Sequence, residues 1–353
     1  MTRAGPTREE FPREHWRVAR SPETLGWSSE KLAVAKQYAD SLDSAAVVVV
    51  DHGIIVTQWG APDRKFMIHS IRKSFISALY GIAVSRRQVN LNSTLAELGI
   101  DDNAPSLTDE EKSARVIDLL KARSGIYHAA LYETTAMTAA KPKRYSHPPN
   151  TFWHYNNWDF NTLGTILEHA TGESVFEDFK QEIAAPLQME DFTLADTEYV
   201  RGPESIHPAY PFRMTARDMA RFGLLYLRQG VWRGKQIVPK SWVAESTTAY
   251  SVADAMPQDN YSGYGYLWWV AINDHHLEGV DLPNGSFSAE GFRGHYITVI
   301  PKLDLVIVHR FDTDKDEGGV HDWQYGKLVK LILEAMPAGR RGEQRSSSTG
   351  NKP

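Results

Sequence analysis

Ser70-Ile71-Arg72-Lys73-Ser74-Phe75-Ile76-Ser77-Ala78-Leu79-Tyr80 marks the point where a polar-flanked segment gives way to a strongly apolar pattern. Across residues 71–86 the apolar side chains recur every three or four positions, which predicts an α-helix. Upstream of it, the β-branched runs 45–50 and 54–59 are separated by Asp51-His52-Gly53, a Gly-containing turn that predicts a strand hairpin. Downstream, residues 116–121, 160–170, 175–183 and 215–227 repeat the helical spacing, the last opening on Thr215 and Asp218 in a capping-box-like arrangement. Strand character then returns at 264–271, 297–300 and 305–311, and residues 320–336 predict a closing helix.

This order predicts an α/β (α+β) chain. Residues 22–64 together with 250–336 form a mixed α/β domain, and 65–249 form a mostly helical domain inserted into it. The Gly-, Ser- and Arg-rich residues 337–353 are expected to be a disordered tail. With 353 residues, 42% hydrophobic and 24% charged, wholesale disorder is excluded. The run 45–50 is far shorter than the roughly 18 apolar residues of a membrane span, so no membrane association is expected. The 39 Lys and Arg against 44 Asp and Glu provide no basic footprint for nucleic acid. Cysteine is absent, and residues 1–20 hold no apolar core of about 7–15 residues, so a cytoplasmic protein is expected. The oligomeric state is not legible. Neither Gly-x-Ser-x-Gly, His-Glu-x-x-His, a Walker phosphate loop nor Gly-x-Gly-x-x-Gly occurs, and the histidines show no metal-ligand spacing. Neither metal nor cofactor is expected.

Three elements carry chemistry. Ser70 and Lys73 stand three residues apart, on one face of a helix, where the amine can reach the hydroxyl and accept its proton once burial lowers its basicity. Ser28-Ser29-Glu30-Lys31 repeats the spacing where Ser28 reads as an ordinary helix cap, and Ser70 alone could be the same. Tyr155-Asn156-Asn157 is the chain's sole Tyr-x-Asn. Its phenol can relay a proton, and the Asn157 amide can bond the lysine or a substrate carbonyl, unless the tripeptide is merely a polar loop. Ser288-Ala289-Glu290-Gly291-Phe292 precedes a strand. Gly291 permits close backbone approach, and the N–H groups of Phe292 and Ser70 could pair as oxyanion donors, or the segment could be a hairpin corner.

Taken in order, these elements resemble the class C β-lactamase-like serine hydrolases, a group that includes β-lactamases, DD-peptidases, certain carboxylesterases and 6-aminohexanoate-dimer hydrolase. Leu119-Leu120-Lys121-Ala122-Arg123-Ser124-Gly125, Leu163-Gly164, the segment from Met214 to Gly223, Tyr264-Gly265-Tyr266-Leu267-Trp268-Trp269 and residues 296–308 are similar to further family blocks, so the likeness spans roughly residues 25–335. The resemblance implies a β-lactamase/DD-peptidase-like fold, with an antiparallel sheet flanked by helices plus the inserted helical region. It implies Ser70 as acylated nucleophile, Lys73 as base, Tyr155 as proton relay and Asn157 as supporting amide, with Gly291 and Phe292 at the oxyanion strand. The departure is Ala289-Glu290-Gly291, where lactamases and DD-peptidases usually carry Lys or His before a small residue and Gly. Loss of that cation shifts the expectation from β-lactams and peptides toward small-molecule esters or non-peptide amides. Arg293 stands close enough to replace it against a carboxylate, or is a solvated loop residue. Phe152, Trp153, Trp158, Tyr127 and Phe292 are candidates for an apolar pocket or for core packing.

Overall fold

Strand β1 (Ser44–Asp51) runs into β2 (Ile54–Gly60) through His52 and Gly53, whose φ values of 52° and 80° supply the left-handed pair that a tight hairpin requires. The computed structural model describes residues 10–253, 262–315 and 317–340. Six more strands join the hairpin: β3 (Ser251–Val252), β4 (Ser262–Tyr264), β5 (Trp269–Ala271), β6 (Phe287–Gly291), β7 (His295–Ile300) and β8 (Leu305–Phe311). Their order across the sheet is β2-β1-β8-β7-β6-β5-β4-β3, with every neighbouring pair antiparallel. The first and last parts of the chain therefore meet at β1 and β8, where Val48 pairs with Val308.

The unbroken apolar run of β1 follows from burial on both sides of the sheet. Val47 and Val49 face α1 (Ser29–Ser41) and the C-terminal helix α5 (Asp322–Glu334), packing with Leu32, Ala35, Leu328 and Ile332. Ala46, Val48 and Val50 face the other way, in one cluster with Phe75, Phe160 and Leu163 of the central helices. That second face holds α2 (Arg72–Ser85), α3 (Asn157–Thr171) and α4 (Ala216–Leu227). Helix α2 is buried on every side from Arg72 to Ala83: apolar residues dominate it from Phe75 onward, while Arg72, Lys73 and Ser74 are buried polar groups in its first turn. Ser28 caps α1 by accepting from the Lys31 amide, so the second Ser-x-x-Lys is a helix start.

Two expectations change in the folded chain. Thr215 caps α4 as anticipated, but the Asp218 carboxylate turns away from that cap and accepts from the amides of Glu190, Asp191 and Phe192. Residues 337–340, assigned to the tail by composition, are tied down; 341–353 lie outside the described residues. Arg340 Nη1 donates to both oxygens of buried Asp51 at 2.9 and 2.8 Å, beside Trp27 Nε1, which donates at 2.7 Å. Burial raises the Asp51 pKa, but hydrogen bonds with His52, Arg340 and Trp27 outweigh it and hold the group below its usual value. Arg340→Ala is expected to destabilise the fold by about 1–3 kcal/mol in urea unfolding at neutral pH, since it strands part of a buried carboxylate. A carboxyl depressed by folding contributes above its ordinary pKa and loses that contribution as pH falls through the native value. The two proteins should therefore converge in acid. Among the described residues no helix is long and apolar enough to cross a membrane.

Candidate active site

Ser70 sits on a single 3-10 turn, His69–Ile71, that feeds directly into α2. His69 holds φ at 50°, a left-handed conformation uncommon for a side-chain-bearing residue, so the surrounding contacts must impose it. They come from distant strands. Arg310 of β8 donates to the carbonyls of Phe66 at 3.0 Å, Met67 at 3.1 Å and Met214 at 2.7 Å, pinning the two-stranded ribbon that leads into the turn. His69 Nε2 is 2.7 Å from Thr313 Oγ1. Burial and the nearby Arg310 charge push the His69 pKa down to about 4, so the ring is neutral at physiological pH.

Three residues on, Lys73 Nζ is hydrogen-bonded to Ser70 Oγ at 2.8 Å and to Tyr155 Oη at 2.6 Å. The amine also lies 4.3 and 4.7 Å from the ring centroids of Tyr155 and Phe160. Desolvation, followed by the neighbouring Arg72 charge, drives the Lys73 pKa well below that of an ordinary lysine. The Tyr155 pKa moves the other way: burial raises it, with Ser70 and Arg72 pulling only partly back. The two opposite shifts favour the proton on the phenol and make the amine less basic than an ordinary lysine.

Tyr155 precedes α3, whose cap, Asn156, accepts from the Trp158 amide. Its ring stacks on Trp269 at 5.6 Å and meets Tyr264 edge-on at 6.1 Å, so β4 and β5 fix the phenol from behind. Ser74 Oγ donates to the Leu267 carbonyl at 2.8 Å, binding the bend between those strands to α2. Leu267 has φ 64°, which is why the run 264–271 forms two short strands rather than one. Asn157, by contrast, bonds away from Lys73: its amide donates to the Tyr132 carbonyl at 2.6 Å, and its oxygen is buried without a hydrogen-bond partner.

The third element closes on the nucleophile turn. A Cβ on Gly291 would fall 2.5 Å from the Ile68 carbonyl oxygen, so glycine is what lets β6 come this near. The Phe292 ring stands edge-on to His69 at 5.7 Å, and Arg293, at φ 64°, places its guanidinium 4.9 Å from the centroid of that ring. Of the remaining aromatics, Trp153 lies against Tyr264 and Trp269 near the site, whereas Trp158 points into the core and donates to Asp102 at 2.7 Å. Among the described residues no cluster of three or more His, Asp or Glu is placed to hold a metal. Arg310, Trp269 and Tyr264 support the site without having been singled out for it. For Arg310 the available signal is a charge within the apolar run 305–311.

The chain is similar to known proteins in sequence and in fold. The family model described as Beta-lactamase matches residues 32–331. A 6-aminohexanoate-dimer hydrolase of Paenarthrobacter ureafaciens is 24% identical over 309 residues, covering 78% of this chain and 74% of that one. Among solved structures, a provisionally assigned 6-aminohexanoate-dimer hydrolase from Bacillus anthracis superposes with a TM-score of 0.65 at 21% identity, covering 93% of this chain and 89% of that chain. EstCE1, a hydrolase with promiscuous acyltransferase activity, gives 0.62 at 16% identity, over 90% and 99%.

Proposed function

This chain belongs to the beta-lactamase family, and from that premise we propose a serine hydrolase that cleaves an ester or non-peptide amide through an acyl-enzyme on Ser70. The observation that carries the reading is the continuous contact from Ser70 Oγ to Lys73 Nζ to Tyr155 Oη, at 2.8 and 2.6 Å, around an amine stripped of water. As Ser70 Oγ attacks the carbonyl carbon, its proton passes to Lys73 and the carbonyl π electrons move onto oxygen. The backbone N–H groups of Ser70 and Phe292 are assigned to that oxyanion. Collapse breaks the bond to the alcohol or amine, which leaves with a proton delivered through Tyr155. Water then attacks the acyl ester along the same proton path, and Ser70 regains its hydrogen.

Ala289, standing before Glu290-Gly291 where β-lactamases and DD-peptidases usually carry Lys or His, leaves that position without a cation and favours esters and non-peptide amides over their substrates. Arg293, whose guanidinium lies 4.9 Å from the Phe292 ring centroid, is assigned to the carboxylate of an amide such as a linear aminohexanoate dimer. The relatives that carry 6-aminohexanoate-dimer hydrolase and hydrolase names support this choice of substrate class. The test is a turnover panel of p-nitrophenyl esters, the linear aminohexanoate dimer and a chromogenic cephalosporin. Esters or the dimer should be preferred. Faster cephalosporin turnover would return the site to β-lactamase or DD-peptidase chemistry. Stoichiometric labelling without any turnover would make this an acyl-ligand binding protein.

A further inference from the structure

Arg72 stands in the first turn of α2, immediately before Lys73, and is wholly buried. A guanidinium withdrawn from water normally faces a carboxylate, because an uncompensated buried charge is strongly disfavoured. Here its Nη2 donates to the neutral amide oxygen of Asn161 at 3.0 Å, and the group lies 4.1 Å from the ring centroid of Tyr210 and 5.7 Å from that of Tyr132. Nε and Nη1 have no hydrogen-bond partner. Among the described residues neither Arg72 nor Lys73 enters an ion pair. Two basic residues thus follow one another inside the protein with no anion paired to either.

We propose that Arg72 is a positioning residue for acylation: its buried, unpaired charge makes a second charge on Lys73 unfavourable and so keeps that amine free to take the Ser70 proton. This rests on the acyl-enzyme reading above.

The company of Lys73 leaves this charge room to act. On its own turn and on β7, His69 and His295 are neutral, both pushed down by burial and then by Arg310. Burial raises the Asp159 carboxyl of α3 far above the usual range and keeps Tyr155, Tyr210 and Tyr264 as phenols. Glu290 on β6 contributes a negative field at Tyr155, and Arg310 on β8 contributes a positive one at His69. The segments packed further along α2, through Phe179 on Phe75 and Trp242 on Gly81, carry Asp178 and Glu245. Burial is the largest cause that lowers the basicity of Lys73, Arg72 is the next, and the positive end of α2 works in the same direction.

The test follows the rate of Ser70 phosphonylation by a fluorophosphonate as a function of pH. The reagent forms a P–O bond and expels fluoride while Lys73 takes the serine proton, so the acid limb of the profile reports the amine. Removing the charge in Arg72→Gln should move that limb to higher pH by about one unit while the plateau at high pH survives. Asn161→Asp should do the same without touching Arg72, because it sets a carboxylate against Nη2 and neutralises the guanidinium; it decides the matter if Arg72→Gln does not fold. An unmoved limb in the folded variants, with only the plateau lowered, would make Arg72 a packing residue and overturn the proposal. A wild-type protein that is never labelled would instead overturn the acyl-enzyme reading on which the proposal stands.

Discussion

Ser70→Ala should leave a folded protein with turnover reduced by at least about 10⁴-fold, the scale on which removal of a catalytic nucleophile acts. The exchange removes one oxygen from a half-buried 3-10 turn, and Arg310 and Thr313 hold that turn through other atoms. The melting temperature should therefore move little. Steady-state hydrolysis of the best substrate in the panel, measured with near-ultraviolet circular dichroism as the check on folding, reads both. Turnover retained within tenfold would remove Ser70 from the chemistry. Lys73 would then need another partner, although the serine oxygen is one of its two polar contacts.

Tyr155→Phe should lower the rate by on the order of 10²-fold or more, the usual contribution of a positioned proton donor. Phenylalanine keeps the stack on Trp269 and the edge contact with Tyr264, so packing is preserved and the loss isolates the hydroxyl. The loss should be greater for substrates with poor leaving groups, amides above p-nitrophenyl esters, because only the former need a proton as the bond breaks. An equal loss on both would confine Tyr155 to activating Ser70. No loss would leave it an aromatic spacer between α2 and β5.

What could be read from the residues alone was whatever depends on neighbours in the chain. The hairpin follows from two β-branched runs and a turn that accepts positive φ at both His52 and Gly53. Three-residue spacing puts Ser70 and Lys73 on one helix face, where they lie 2.8 Å apart, whereas Ser28 and Lys31 share the spacing at an ordinary helix cap. Asn157 shows where such reading stops: its type and motif suited a bond to the lysine or to a substrate carbonyl, and the fold gives its amide nitrogen to the Tyr132 carbonyl, 25 residues away in the chain. The supports are long-range in the same way. Arg310 reaches back across the chain to the carbonyls before Ser70, and Trp269 arrives from β5, toward the opposite edge of the sheet, to back Tyr155. No local pattern encodes those meetings; they are fixed when β1 closes on β8 and the central helices are pressed onto one face of the sheet.

The central claim is a covalent intermediate on one named oxygen, and peptide mapping after treatment with a fluorophosphonate tests it most directly. The account predicts one adduct per chain, located on Ser70, with hydrolytic activity lost in proportion to labelling and no adduct in Ser70→Ala. Undiminished turnover in fully labelled protein, or an adduct carried by another residue, would contradict it.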